Sequence, residues 1–211
     1  MNAKNSRHYV YLGFILLLEL LVLYSNPAAA LEYKTGTVGG KRILLAQGLI
    51  EPGDTMKFIN SFSDFGQIDE LWLYSPGGNI PESLSLGRIV REKGIVTRIA
   101  NGTFCLSACV HMFIGGVIRY VDPSGNVCVH MFTRFSPEKQ YKGRISGLQL
   151  QNLEQISAYV TNESILYIQE MGVSQKLMGK MARTPNSAPV CLSRQELVDY
   201  NIVNTEVSTL R

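Results

Sequence analysis

Strand-forming and helix-forming stretches alternate along most of this chain, with glycine or proline turns where one gives way to the other. Glu70 to Tyr74 has the make-up of a buried strand and is cut off by Ser75-Pro76-Gly77-Gly78. Ile80 to Lys93 then carries Leu84, Leu86, Ile89 and Val90 near helical spacing until Gly94 stops it. Lys41 to Leu49, Ile95 to Ala100, Val117 to Val121, Val127 to Phe132 and Val190 to Leu192 read as further strands. Pro52 to Phe62, Ser107 to Ile114, Leu148 to Met171, Ser174 to Ala182 and Ser193 to Tyr200 read as helices, the last with Ser193 and Glu196 as a capping box. Ser61 to Gly66 and Phe132 to Gly147 are loop-like interruptions. Units of this kind predict an α/β domain with a mostly parallel sheet. Ligands bind such sheets beyond the carboxyl ends of the strands. Both the Ser75 to Gly78 turn and the turn before Ser107 fall there.

The first thirty residues differ in character. Lys4, Arg7 and His8 make a basic start, Val10 to Tyr24 is almost unbroken apolar sequence, and Pro27-Ala28-Ala29-Ala30 has the small-residue pattern of a secretory cleavage site. We expect an export signal cleaved after Ala30, placing the protein in the periplasm or outside the cell. The alternative is a retained N-terminal anchor; Glu19 inside the run weakens both readings. The chain then divides into a signal segment (1–30), an extension (31–41), a domain (42–204) and a tail (205–211). Without the signal the charge is +2, against +3 for the whole chain. That balance gives no argument for nucleic acid or an anionic membrane, and leaves membrane contact to an uncleaved N-terminal segment alone.

All four cysteines, Cys105, Cys109, Cys128 and Cys191, follow the signal, and export would let disulfides persist. Cys105 and Cys109 are four apart, near enough to close a small loop around Ser107. Alternatively Cys128 pairs with Cys191 and the first two are apolar packers; four cysteines allow three pairings. A metal site is the weaker reading, since no second pair lies nearby, and we expect neither metal nor cofactor.

The residues at the strand ends have a chemistry in common. A serine becomes a nucleophile when a base takes its proton. Ser107 lies at an expected helix start, where free backbone N–H groups stabilise negative charge. Ala108 beside it adds no bulk. Gly77 and Gly78 allow backbone N–H groups close to a substrate, and such oxyanion donors are worth roughly 3–4 kcal/mol each. His130 follows the Asp122 to Asn126 turn. Taken singly, Ser107 reads equally as an N-cap, the glycines as a turn, His130 as a hydrogen-bonded strand histidine, and His111 as a packed or surface helix residue.

Leu73 to Ile80, Thr103 to Gly115 and Val129-His130 together resemble the proteolytic subunit of Clp protease and its exported relatives in the Clp/crotonase superfamily. The likeness runs from about Arg42 to Val203, and Leu192 to Val203 resembles that family's closing helix and strand. The resemblance implies a ClpP/crotonase-like fold of repeated β-β-α units and a serine peptidase acting on peptide or protein. It further implies Ser107 as nucleophile, His130 as general base, and Gly77, Gly78 and Ala108 as oxyanion donors. Rings of subunits are common in the family, which implies a possible homo-oligomer with the long helix at its contacts. One member of the pattern is missing: no carboxylate occurs in Thr184 to Pro189, where the family places an aspartate. Asn186 is the nearest substitute and can orient a histidine without stabilising its charge; in a serine protease the aspartate-to-asparagine change costs about 10⁴ in turnover. Lys139 and Lys142 offer a lysine base, as in related membrane-associated peptidases. A binding or scaffold domain that kept the fold without catalysis is the competing reading.

Overall fold

A computed structural model describes residues 29–132 and 146–205, the side chains of Ser63 and Asp64 aside. The expected signal core, Lys139 and Lys142 lie outside the described residues. A hairpin opens the fold: β1 (Glu32–Val38) runs antiparallel to β2 (Lys41–Gln47) across Gly39-Gly40. The helix α1 (Asp54–Phe65), β3 (Glu70–Tyr74), α2 (Ile80–Glu92), β4 (Val96–Ile99), β5 (Phe104–Leu106) and α3 (Cys109–Ile114) follow. Next come β6 (Arg119–Val121), β7 (Asn126–Val129), α4 (Gly147–Glu170), α5 (Lys176–Arg183), β8 (Val190–Cys191) and α6 (Arg194–Asp199).

The strands form two sheets. One has the order β1-β2-β3-β4-β6, parallel from β2 onward; the other has the order β5-β7-β8, with β5 parallel to β7. The mixed α/β expectation stands, with the parallel strands shared between two sheets. They meet where Ser75, just past β3, pairs with Cys105 of β5.

Alternation along the strands decides which face is covered. Leu44, Leu71, Ala46, Leu73, Ile99 and Val121 are buried together with Phe58 of α1, Leu84 and Val90 of α2, and Phe113 of α3. Side chains alternate across a strand, so the intervening positions Leu45, Trp72, Arg98 and Tyr120 align on the opposite face. There Arg98 lies 5.9 Å from the Trp72 ring and 4.6 Å from that of Tyr120, and pairs with Glu70 (3.0 Å) and Asp122 (2.6 Å).

Several boundaries differ from expectation. β1 occupies the expected extension, and α1 continues through Ser61 to Phe65, read from sequence as loop. Its N-cap is Gly53, which has no side chain to offer. Glu82 of α2 accepts the Gly53 and Thr55 N–H groups (3.1 and 2.6 Å) in its place, satisfying donors a helix start leaves free. The Ser193–Glu196 capping box forms as read. No helix among the described residues is long and apolar enough to cross a membrane.

Candidate active site at three adjacent strand ends

Three strand ends lie side by side. The extension of β3 pairs with β5 through Ser75 and Cys105, and β5 pairs with β7 through Leu106 and Cys128. The chain beyond these ends carries Ser75-Pro76-Gly77-Gly78, Ser107 and His130 respectively. The ladder continues one step past β5, because the Ser107 N–H donates to the Cys128 carbonyl (3.0 Å). Ser107 and His130 therefore leave neighbouring parallel strands at the same edge.

Ser107 is not the N-cap that its sequence position suggests. The first helical residue of α3 is Cys109, Ala108 holds the N-cap position, and Ser107 lies in the turn between strand and helix at φ +58°. A non-glycine residue in that left-handed region costs roughly 1–2 kcal/mol. The strand hydrogen bond on one side and the helix start on the other hold it there. Gly77, at φ +96°, packs directly on this turn: a Cβ would sit 2.6 Å from the Leu106 carbonyl oxygen and 2.9 Å from the Ser107 Cβ. A Cβ on Gly78, at φ +136°, would run into the Ile50 carbonyl. Both positions need glycine for room as well as for conformation.

The three expected oxyanion donors are not equivalent. The Gly77 N–H donates to Ser75 Oγ (3.1 Å) and is already engaged. The Gly78 and Ala108 N–H groups have no acceptor among the described residues and remain available. Ser75, itself buried, organises the turn, a role its place in the motif did not reveal.

His130 lies one residue past the end of β7, which stops short of the strand to Phe132 that the sequence predicts. Its ring Nδ1 lies 2.8 Å from the Met131 carbonyl oxygen. A carbonyl can only accept, so Nδ1 carries the hydrogen, and in the neutral ring Nε2 keeps its lone pair. The Met131 N–H in turn donates to the Thr184 carbonyl (2.7 Å). The Thr184 to Pro189 stretch thus runs beside the histidine where a third member was expected, but the contact it makes is between backbones. Asn186 is half-buried and makes no hydrogen bond among the described residues. The Ser107 hydroxyl and the His130 ring are not hydrogen-bonded to each other. His111 is fully buried inside α3, away from this role.

Both cysteine pairs considered from sequence are formed, Cys105–Cys109 and Cys128–Cys191. The first encloses Ser107 in its own turn. The second ties β7 to β8 on the strand whose Cys128 carbonyl holds the Ser107 N–H.

No family model matches the chain, and no curated protein is similar to it in sequence. Among solved structures it is similar to the 1510-N membrane-bound stomatin-specific protease, solved as a serine-to-alanine mutant. The TM-score is 0.51 at 13% identity, over 74% of each chain. At that identity the likeness concerns the fold alone, a mixed α/β chain.

Proposed function

We propose that this chain is an exported serine hydrolase, a peptidase acting through an acyl-enzyme on Ser107. The observation that carries the reading is the convergence of Ser107, His130 and two free backbone N–H groups at three adjacent strand ends. The protease-like fold supports it. Ser107 Oγ attacks the substrate carbonyl while His130 Nε2 takes its proton. The carbonyl oxygen, now negative, is held by the Gly78 and Ala108 N–H groups, and His130 returns the proton to the leaving amine. Two disulfides support an oxidising compartment.

The missing carboxylate changes the energetics in a definable way. An aspartate does two things for a catalytic histidine: it fixes the tautomer and it stabilises the imidazolium. The Met131 carbonyl supplies the first, since it can only accept, whereas an asparagine side chain can also present its NH₂ and favour the wrong tautomer. The second function is supplied only by a carbonyl dipole, so a slow hydrolase is expected. Replacing Asn186 by Ala should therefore leave the rate of active-site labelling within about twofold; a drop of tenfold or more would return the third role to Asn186.

A fluorophosphonate probe tests the whole reading. The oxidised chain should be labelled on the peptide containing Ser107, Ser107→Ala should be unlabelled, and His130→Ala should be slowed by about 10²-fold or more. Failure of the wild-type chain to label would favour the non-catalytic scaffold. We also assign self-association to α4. Its C-terminal half is buried through Val160, Tyr167 and Ile168, while Leu148 and Leu150 nearer its start are 68% and 53% exposed.

A further inference from the structure

The nucleophile's turn is closed by a bond that the proposed reaction does not consume. Cys105 is the middle residue of β5 and Cys109 the first residue of α3; both are fully buried, with Cα atoms 5.3 Å apart. Only Leu106, Ser107 and Ala108 lie between them. Two of these are functional in the reading above: Ser107 through its hydroxyl, Ala108 through its free N–H. Ser107 also holds the one positive φ of this turn, +58°.

We propose that Cys105 and Cys109 are positioning residues, and that their disulfide keeps Ser107 in its left-handed conformation, so that the site is competent only when the bond is closed. This rests on the hydrolase reading and adds a redox condition to it. Two contacts and the helix start fix both sides of this turn, and the short ring joins them across it. The Ser107 N–H is held by the Cys128 carbonyl, Gly77 packs against the Leu106 carbonyl and Ala108 N, and α3 must start at once. With the ring open, only the strand hydrogen bond, the helix start and the Gly77 packing oppose relaxation of residue 107 toward the right-handed or extended regions that non-glycine residues prefer, and under this proposal they do not suffice. That rotation carries the hydroxyl and the Ala108 N–H away together.

A dithiol reductant opens the ring with balanced chemistry. Its thiolate attacks one cysteine sulfur, forming a mixed disulfide and releasing the other cysteine. Its second thiolate then resolves the mixed disulfide. Two electrons and two protons pass to the protein, leaving Cys105 and Cys109 as thiols and the reductant as a cyclic disulfide.

The test uses the same fluorophosphonate probe in two arms. One is Cys105→Ala/Cys109→Ala with the other disulfide intact. The other is the wild-type chain reduced by dithiothreitol, its thiols counted by mass after alkylation, then reoxidised. We expect the maximal labelling rate to fall at least tenfold in both arms while the probe concentration for half-maximal rate stays within twofold. Circular dichroism should be retained, and reoxidation should restore the rate. If the double variant loses its circular dichroism, Cys128→Ala/Cys191→Ala, which keeps only the Cys105–Cys109 bond, is compared oxidised and reduced, and that comparison decides. A maximal rate within twofold of the oxidised chain, in either arm with the fold retained, would overturn the inference. So would joint loss of fold and labelling in both arms, since the bonds would then serve stability alone. Absence of labelling in the oxidised wild-type chain is a different failure and strikes the hydrolase reading itself.

Discussion

Replacing Arg119 by Met should destabilise the protein by about 4 kcal/mol, although the residue touches no substrate. Arg119 belongs to β6 and is 1% exposed, on the sheet face covered by helices. No carboxylate among the described residues pairs with it. Its guanidinium donates instead to the carbonyls of Ile202 (2.8 Å), Asn201 (2.7 Å), Gly116 (3.2 Å) and Ile114 (3.4 Å). Ile114 ends α3, where a helix leaves its last carbonyls without backbone partners, and Asn201 and Ile202 lie in the turn just past α6, so the cation ties the ends of two helices together. Burial pulls its pKa down to about 10, and it stays charged at neutral pH. Arg91 also reaches the Ile114 carbonyl (3.2 Å). Removing Arg119 therefore strands chiefly three acceptors, at about 1–3 kcal/mol each. Sparing the desolvation of a guanidinium returns part of that loss. Arg119→Lys keeps the charge without the fork and should fall in between. Urea unfolding with the disulfides intact measures it; a Met variant within 1 kcal/mol of wild type would refute the argument. Because the same contacts anchor the end of α3, the helix that starts beside Ser107, labelling at Ser107 should weaken along with stability.

The parts of the fold that were legible in sequence are those where one pattern dominated. β3, its Pro-Gly-Gly stop and α2 follow from a short apolar run, a breaker and a helical period, with Asn79 capping α2 as the turn ends. β1 is not legible from sequence because Glu32 to Val38 alternates only weakly and stays partly exposed at the sheet edge. The signal in the sequence is Gly39-Gly40, a two-residue hairpin turn. β5 is three residues long, too short for a period to register, so sequence assigns Ser107 to the helix behind it rather than to the end of a strand. That misplacement matters, because the difference between an N-cap serine and a serine in a strained strand-to-helix turn is a difference in chemistry.

The site divides along a similar line. Side chains that must be particular residue types, Ser107, His130, Gly77 and Gly78, can be picked out from a sequence. Contacts made by backbone cannot. Nothing in the residue types at 131 or 184 indicates that the Met131 carbonyl meets the histidine, or that Thr184 holds Met131 in place. Likewise the engagement of the Gly77 N–H by Ser75 depends on the turn's geometry. A search for a missing acid among side chains passes over a group that every residue carries.

Acid should weaken this protein through His111, in a pH range above that of most carboxylates. His111 is 1% exposed inside α3, and neither ring nitrogen has a hydrogen-bond partner. Its ring meets that of Tyr167 edge-on at 6.0 Å, and Tyr167 donates its hydroxyl to the His111 carbonyl (2.7 Å). Burial lowers the imidazole pKa to about 4 from the ordinary 6.5, the nearby Ala108 carbonyl offsetting this only in part. Between those values the unfolded chain binds a proton that the folded chain refuses, so stability rises with pH through this window. The contribution is fully present above about pH 6.5, is lost as pH falls toward 4, and amounts to about 3 kcal/mol. Glu196 titrates lower still, held near 2 by Lys180 and by the backbone and hydroxyl of Ser193, so its effect belongs to more acidic solutions. Replacing His111 by Leu, which fills similar space without a proton site, should flatten the stability profile between pH 6.5 and 4.5 while leaving Ser107 in place. Urea unfolding of both chains across that range measures the difference. If the two profiles run parallel, His111 accepts its proton in the folded state, and the buried, unpaired imidazole described here cannot be the origin of the acid sensitivity.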